Sequence, residues 1–407
     1  MKKIGLINCY FGNFPWYFSF FIKSCETNPT VDFIIFSDSK YDGYLPENVK
    51  IIPFTLTDFN LLASTKLGFE ITVKKAYKLC DFKPSYGVLF SDFLVGYDFW
   101  GMCDIDIIFG RIREFMTDEL LEEYDVINTR HDYLTGSFLL FKNNTEINSL
   151  FTKSKDCKKI FTSDKHYCFD ECNFKHMQLE LNMNIFDVPC EIESMEHIIR
   201  REYDLKNINV FFDFLVVDGL SGRLKWDNGL LSYGNKLEIL LYHLIQFKSN
   251  AFLRKNNWNN IPNTFYIDKY TFRKKTKKTF QGLREFYVSN TYIPYKSLLL
   301  NIGDYLISNL LIRKELFFLT EGIYKNKLGD TYIYIDKNKT GKNILSFKKS
   351  SKPKRKSVSS KFRKDTFYIH NGFFTNYKFF MTEDGQTQKI QSMMFDGTIT
   401  NYELLEK

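Results

Sequence analysis

The chain begins with short apolar runs separated by amphipathic ones. Ile4 to Cys9 is almost uniformly apolar and reads as a buried strand, and Val31 to Ser37 reads as a second. Trp16 to Cys25, between them, carries the wider apolar stripe of a helix. Repeated through the first 110 residues, this alternation predicts a mostly parallel sheet flanked by helices. Asp38 closes the second strand. Glu70 to Cys80 reads as a further helix, Lys83 to Gly87 as a turn around Pro84, and Gly96 to Gly101 as the approach to another strand.

Asp125 to Arg130 and Ser137 to Phe141 read as two more strands, joined by the polar, small-residue connection His131 to Gly136. Asn148 to Lys155 reads as a short surface helix. Phe169 to Cys172 reads as the start of another, with Asp170 or Asp164 as its N-cap. The pattern changes past residue 250. The expected organisation is an α/β domain over 1–250, a basic amphipathic helical region over 251–330 and a small β-rich region over 331–407, with Asp384-Gly385 and Asp396-Gly397 as turn signals.

Length and composition set outer bounds. At 407 residues, 44% apolar and 26% charged, the chain has material for two or three domains with a large core. Its eight cysteines lack the paired spacing of a zinc ribbon or a redox Cys-x-x-Cys, and read as buried free thiols of a reducing compartment. The first residues reach Asn8, Gly12 and Asn13 too soon for a secretory apolar region. Tyr292 to Leu311, the nearest approach to a membrane span, is interrupted by Lys296, Asn301 and Asp304. The expectation is a cytoplasmic protein.

The net charge of +8 raises nucleic acid as a partner, but the basic runs lie far from the first domain and no recognition motif accompanies them, so no nucleic-acid partner is expected. No Gly-x-Gly-x-x-Gly follows the first strand, which disfavours a dehydrogenase. No Gly-x-x-x-x-Gly-Lys-Ser/Thr is present, which disfavours a phosphate-loop NTPase.

The strongest chemical signal is Trp100-Gly101-Met102-Cys103-Asp104-Ile105-Asp106. In an extended segment alternate side chains share a face, so Asp104 and Asp106 project together while Ile105 turns back to the core. Hard oxygen ligands so arranged suit Mg²⁺ or Mn²⁺, completed by water and phosphate oxygens. A turn cap at Asp104 with a solvated Asp106 is the plain alternative. Against it, both acids sit in an otherwise uncharged run from Phe99 to Gly110, where ionised groups are costly unless paired or metal-bound.

Together with this run, Gly12, Pro15 and Tyr17-Phe18 after the first strand, Phe36-Ser37-Asp38 after the second, Lys83-Pro84 with Tyr86-Gly87, and Thr135-Gly136-Ser137-Phe138 carry a family resemblance. Over roughly the first 180 residues the chain resembles nucleotide-sugar-dependent glycosyltransferases of the GT-A fold. Within these it is more closely similar to a bacterial, polysaccharide-associated family with a Phe-Trp-Gly-x-x-Asp-x-Asp segment. The resemblance implies a GT-A-like, Rossmann-type mixed sheet flanked by helices. It also implies a divalent cation on Asp104 and Asp106 that binds the diphosphate of a sugar donor, with UDP as the common nucleotide. A late histidine as a third ligand is implied as well; His243 is the candidate, with Lys248 placed to meet phosphate, although a histidine in an apolar run also serves as a buried, backbone-bonded residue.

The same resemblance frames the remaining candidates. Asn8 to Gly12 would hold base and ribose, with Tyr10 or Phe11 stacking, Gly12 in the loop and Asp38 accepting from a uracil N–H or a ribose hydroxyl. Arg130, His131 and Asp132 would meet acceptor hydroxyls, and Thr135-Gly136 would let a sugar approach the backbone. Asp170 or Glu171 would be the general base if configuration inverts; with retention neither need be. The partners implied are a nucleotide sugar, a glycan or lipid-linked saccharide acceptor, and an anionic membrane surface for the basic runs 269–278 and 348–364. A GT-A-like domain that binds glycans or nucleotides without catalysis is the second reading.

Overall fold

The computed structural model describes residues 1–212 throughout, most of residues 224–274, and the strands between residues 322 and 406. The chain divides into two compact units, Met1–Phe214 and Leu215–Lys407.

In the first unit, strands β1 (Ile4–Cys9), β2 (Val31–Ser37), β3 (Val49–Pro53), β4 (Phe99–Cys103), β6 (Val126–Asn128), β7 (Phe138–Lys142) and β8 (Val210–Phe211) form one sheet in the order β3-β2-β1-β4-β7-β6-β8. The short strand β5 (Ile107–Phe109) follows β4. β1 pairs in parallel with both β2 and β4, whereas β7 runs antiparallel to β4 and β6, so the sheet is mixed. Its central strands are apolar on both faces, as a sheet covered on each side by helices requires.

From β1 the chain proceeds to β2 and β3 on one side and returns to β4 on the other. The carboxyl ends of β1 and β4 therefore flank a topological switch point, the place where open α/β sheets open a crevice. Register puts the chemistry there. Cys103 pairs with Phe138, so Asp104 leaves β4 beside Ser137, whose carbonyl accepts the Asp104 N–H at 3.0 Å. Asn8 at the end of β1 donates through Nδ2 to the Cys103 carbonyl at 2.6 Å.

Several predicted elements are displaced. The helix expected over Glu70 to Cys80 instead runs Leu56–Leu67, started by a Thr55–Asp58 capping box and ended by Gly68 in the left-handed region at φ 77°. The β-branched run Ile71-Thr72-Val73 does not continue it; a 3-10 helix, Ala76–Ser85, takes over and absorbs the expected turn at Lys83. No helix begins at Phe169: Cys168, Asn173 and Phe174 adopt positive φ, the segment is a run of turns, and the helix starts at His176. Asp164 pairs with Lys74 at 2.7 Å, and no side chain caps the helix His176–Glu180.

In the second unit, strands β9 (Leu224–Asp227), β10 (Leu230–Tyr233) and the strand Thr264–Ile267 pair antiparallel around β9. The strands from Gly322–Asn326 to Ile399–Glu406 form a largely antiparallel array, which includes the expected β-rich end from Thr366. Within the region expected to be helical, the described residues Thr264–Ile267 and Phe272–Arg273 are strands. The amphipathic stretch through Phe318 and the apolar segment Tyr292 to Leu311 lie outside the described residues. Among those described, no helix is long and apolar enough to cross a membrane.

Candidate functional site

At the switch point one ammonium gathers three parts of the chain. Lys83 Nζ lies 2.7 Å from Asp104 Oδ1, donates to the Gly136 carbonyl at 2.8 Å, and stands 3.7 Å from Asp170 Oδ2. The Lys83 side chain is 9% exposed and that of Asp104 29%, so a nearly buried cation holds a carboxylate that solvent still reaches. Burial works against the Lys83 charge. Asp104, with Cys80 and Asp170 adding to it, outweighs burial and holds the ammonium well above the usual lysine range.

Asp104 and Asp106 share a neighbourhood. The phenol of Tyr17 is held well above its ordinary range, first by burial and then by the charge of Asp106, with Tyr10 and Asp104 adding to it. Residues 104–106 are the bend between β4 and β5 and not the extended segment expected from the sequence, and it is this bend that brings a carboxylate oxygen of each acid within 4.8 Å of the other. Their hard oxygens fit Mg²⁺ or Mn²⁺.

Gly136 packs directly on the adjacent acid pair. A Cβ built on it would meet Asp170 Oδ2 at 2.2 Å, so only glycine fits the present arrangement. Its N–H donates to Glu171 Oε1 at 2.7 Å, and Glu171 Oε2 is paired with His176 Nε2 at 2.7 Å. The two carboxyls consequently differ in character. Burial pushes Asp170 well above the usual carboxylate range, against the opposing pull of Lys83. Burial also pushes Glu171 upward, but the His176 bond and charge and the Gly136 N–H bring it down to about 2.

The loop after β1 is tied to the end of β2. The N–H of Gly12, at φ 98°, donates to Asp38 Oδ1 at 2.7 Å, and Ser39 Oγ donates to the Gly12 carbonyl at 2.8 Å. Tyr10 stacks on Phe14 with centroids 5.6 Å apart, while Phe11 packs partly buried against the core. Asp38 thus shapes this loop as well as terminating its strand.

Arg130 and Asp132 are turned to a different task from the hydroxyl binding expected of them. The Arg130 guanidinium donates to both Asp132 oxygens, at 2.9 and 2.7 Å, and to Glu180 Oε1 at 3.1 Å, with all three side chains almost fully buried. It also lies over the Tyr133 ring, 4.1 Å from the centroid. This network folds the connection back on itself. His131 keeps a quarter of its side chain exposed. Thr135 is buried, its Oγ1 2.8 Å from Ser137 Oγ and its N–H on Asn128 Oδ1. In the second unit, His243 ends the strand Leu241–His243 and Lys248 lies exposed in the helix Ile245–Ser249.

The pattern along the chain pointed to neither Lys83 nor His176 as a site residue. Lys83 was legible only as one of the family-like positions; its apolar neighbour Phe82 and the following Pro84 hint at a buried lysine. Nothing in sequence pairs His176 with Glu171.

The description "Family of unknown function (DUF6625)" matches residues 6–276. No curated protein matches. Among solved structures, the chain is similar to the galactosyltransferase LgtC in complex with donor and acceptor sugar analogues, at 10% identity over 54% of this chain and 74% of that one, TM-score 0.25. It is also similar to the apo-form glycosyltransferase GlyE of Streptococcus pneumoniae TIGR4, at 13% identity over 37% and 38% of the two chains, TM-score 0.21. Neither likeness carries a functional reading, which rests on the side chains of the site.

Proposed function

We propose that this chain, which belongs to the DUF6625 family, is a glycosyltransferase that moves a sugar from a nucleotide-sugar donor to a glycan or lipid-linked acceptor. A UDP-sugar is the working choice of donor, and bacterial surface polysaccharide synthesis the working role. The observation that carries this reading is the Lys83 ammonium, which joins the Asp-x-Asp strand end, the Gly136 loop and Asp170 at the sheet's switch point. A donor carboxylate, an acceptor loop and an acid-base group there share one electrostatic centre.

In this reading Asp104 and Asp106 hold Mn²⁺ or Mg²⁺, and His243 is the third ligand that the family resemblance implies; two carboxylates and an imidazole are a chemically competent set. The cation, when bound, neutralises charge that gathers on the leaving diphosphate. Lys83 fixes the orientation of Asp104. The Tyr10 to Gly12 loop, held by Asp38, lines the donor side, and Lys248 meets phosphate. Gly136, lacking a side chain, lets an acceptor hydroxyl approach Asp170. If configuration inverts, Asp170 is the base. Glu171 is a weaker choice, because the Gly136 N–H and His176 already engage its carboxylate and keep it a poor proton acceptor. A lipid-linked acceptor would bring the basic runs toward anionic headgroups.

The test is calorimetric titration of UDP, GDP and CMP into the full chain, with and without Mn²⁺, repeated with Asp104→Ala and Asp106→Ala. Binding of a nucleoside diphosphate that requires the metal and disappears in both variants supports the donor site. Absence of binding, or unchanged binding in the variants, rejects it. Metal-dependent binding with no sugar turnover on any glycan acceptor would favour the non-catalytic reading.

A further inference from the structure

Beside the Gly136 loop lies a cluster that the transfer reaction does not use. Cys168 Sγ stands 3.4 Å from Glu171 Oε2 and 3.9 Å from His176 Nε2, and the same carboxylate oxygen is 2.7 Å from that nitrogen. We propose that Cys168, Glu171 and His176 form a second cation site, built for a borderline-soft divalent ion of the Zn²⁺ type and distinct from the Asp104/Asp106 pair.

The geometry is that of one face of a tetrahedron. Zinc takes sulfur at about 2.3 Å and nitrogen or oxygen at about 2.0–2.1 Å, so tetrahedral ligands stand about 3.5 Å apart across a sulfur edge and about 3.3 Å apart across an N/O edge. The two observed sulfur edges bracket the first figure. The imidazole–carboxylate edge is shorter, as a direct hydrogen bond makes it, and would open by several tenths of an ångström around an ion. Three residues at positive φ, Cys168, Asn173 and Phe174, fold the segment so that side chains eight positions apart meet.

The donor types separate this site from the first. A thiolate and an imidazole select zinc-like ions, whereas carboxylates with water select Mg²⁺ or Mn²⁺. Cys168 is buried, but the side chains of Glu171 and His176 are 22% and 34% exposed, which leaves water a route to a fourth position. The other oxygen of Glu171 accepts the Gly136 N–H. An ion here would therefore brace the acceptor loop from below, a positioning role.

The full chain, stripped of metal with a chelator, is titrated with Co²⁺ as a spectroscopic stand-in and then with Zn²⁺. The expected result is one equivalent with intense tetrahedral visible bands and a thiolate charge-transfer band, both displaced by Zn²⁺. Cys168→Ser should abolish the charge-transfer band, and His176→Gln should weaken Co²⁺ binding at least about tenfold. Asp104→Ala should leave the bands intact, so that loss of the donor site and loss of this one are read separately. Circular dichroism of each variant, matched to the parent, excludes misfolding as the cause. No thiolate band in the parent, or an undiminished band in folded Cys168→Ser, would overturn the site.

Discussion

A methyl group added to Gly136 would lie 2.2 Å from Asp170 Oδ2 and 3.3 Å from Glu171 Cγ, so the loop and the acid pair fit together only because position 136 has no side chain. Gly136→Ala should force the loop or Asp170 aside at about 1–3 kcal/mol of stability, the usual range for overpacking. Thermal unfolding measures the loss. Combined with Asp170→Ala, the Gly136→Ala cost should shrink, and strict additivity of the two would show that the contact does not matter.

Lys83→Met should remove the one charge that stands against Asp104 and Asp170 together in the described geometry. Breaking a buried pair by deleting one partner costs about 3–5 kcal/mol, because the remaining charge is left uncompensated. Urea unfolding should show a free-energy shift of that order, seen as a lower midpoint with an unchanged slope. A shift below about 0.5 kcal/mol, the size typical of surface substitutions, would mean that the ammonium is not held as described.

A second buried pair supports the site from beneath. Lys78 Nζ meets Asp81 Oδ2 at 2.7 Å with both side chains essentially buried, and Asp81 accepts the N–H groups of Tyr167 and Phe169 just before Asp170. Burial raises the Asp81 pKa, but His166 and Lys78 outweigh it and leave it below its ordinary 3.8. A depressed carboxylate contributes stability that is present above pH 3.8 and lost as pH falls through the lower folded value. Asp81→Asn should therefore flatten the decline of melting temperature on the acid side of pH 3.8. An unchanged acid limb would count against this linkage.

Trp100 shows why the motif's aromatic is structural. It is fully buried, stacks on Phe141 at 4.6 Å and donates through Nε1 to Asn148 Oδ1 at 2.6 Å. Trp100→Phe should leave that amide oxygen short of its donor, at about 1–3 kcal/mol, and leave a gap in the core. Mn²⁺-dependent nucleotide affinity should change far less than in Asp104→Ala. An equal loss of affinity in the two would give Trp100 a direct part in the site.

By itself the sequence determined the α/β class and the bounds of the first two strands. Both follow from local periodicity: an apolar run six or seven residues long is a buried strand. Only the tertiary structure decided that β7 returns antiparallel beside β4 and so carries Gly136 to Asp104. It alone brought Lys83 between Asp104 and Asp170, gave Arg130 to a buried ion pair, and set Cys168 and His176 on one oxygen of Glu171. The physical reason is that patterning records which face of an element is wet, whereas these contacts depend on strand order, register and positive-φ turns, which leave no period in the sequence whether the residues they join are two positions apart or fifty.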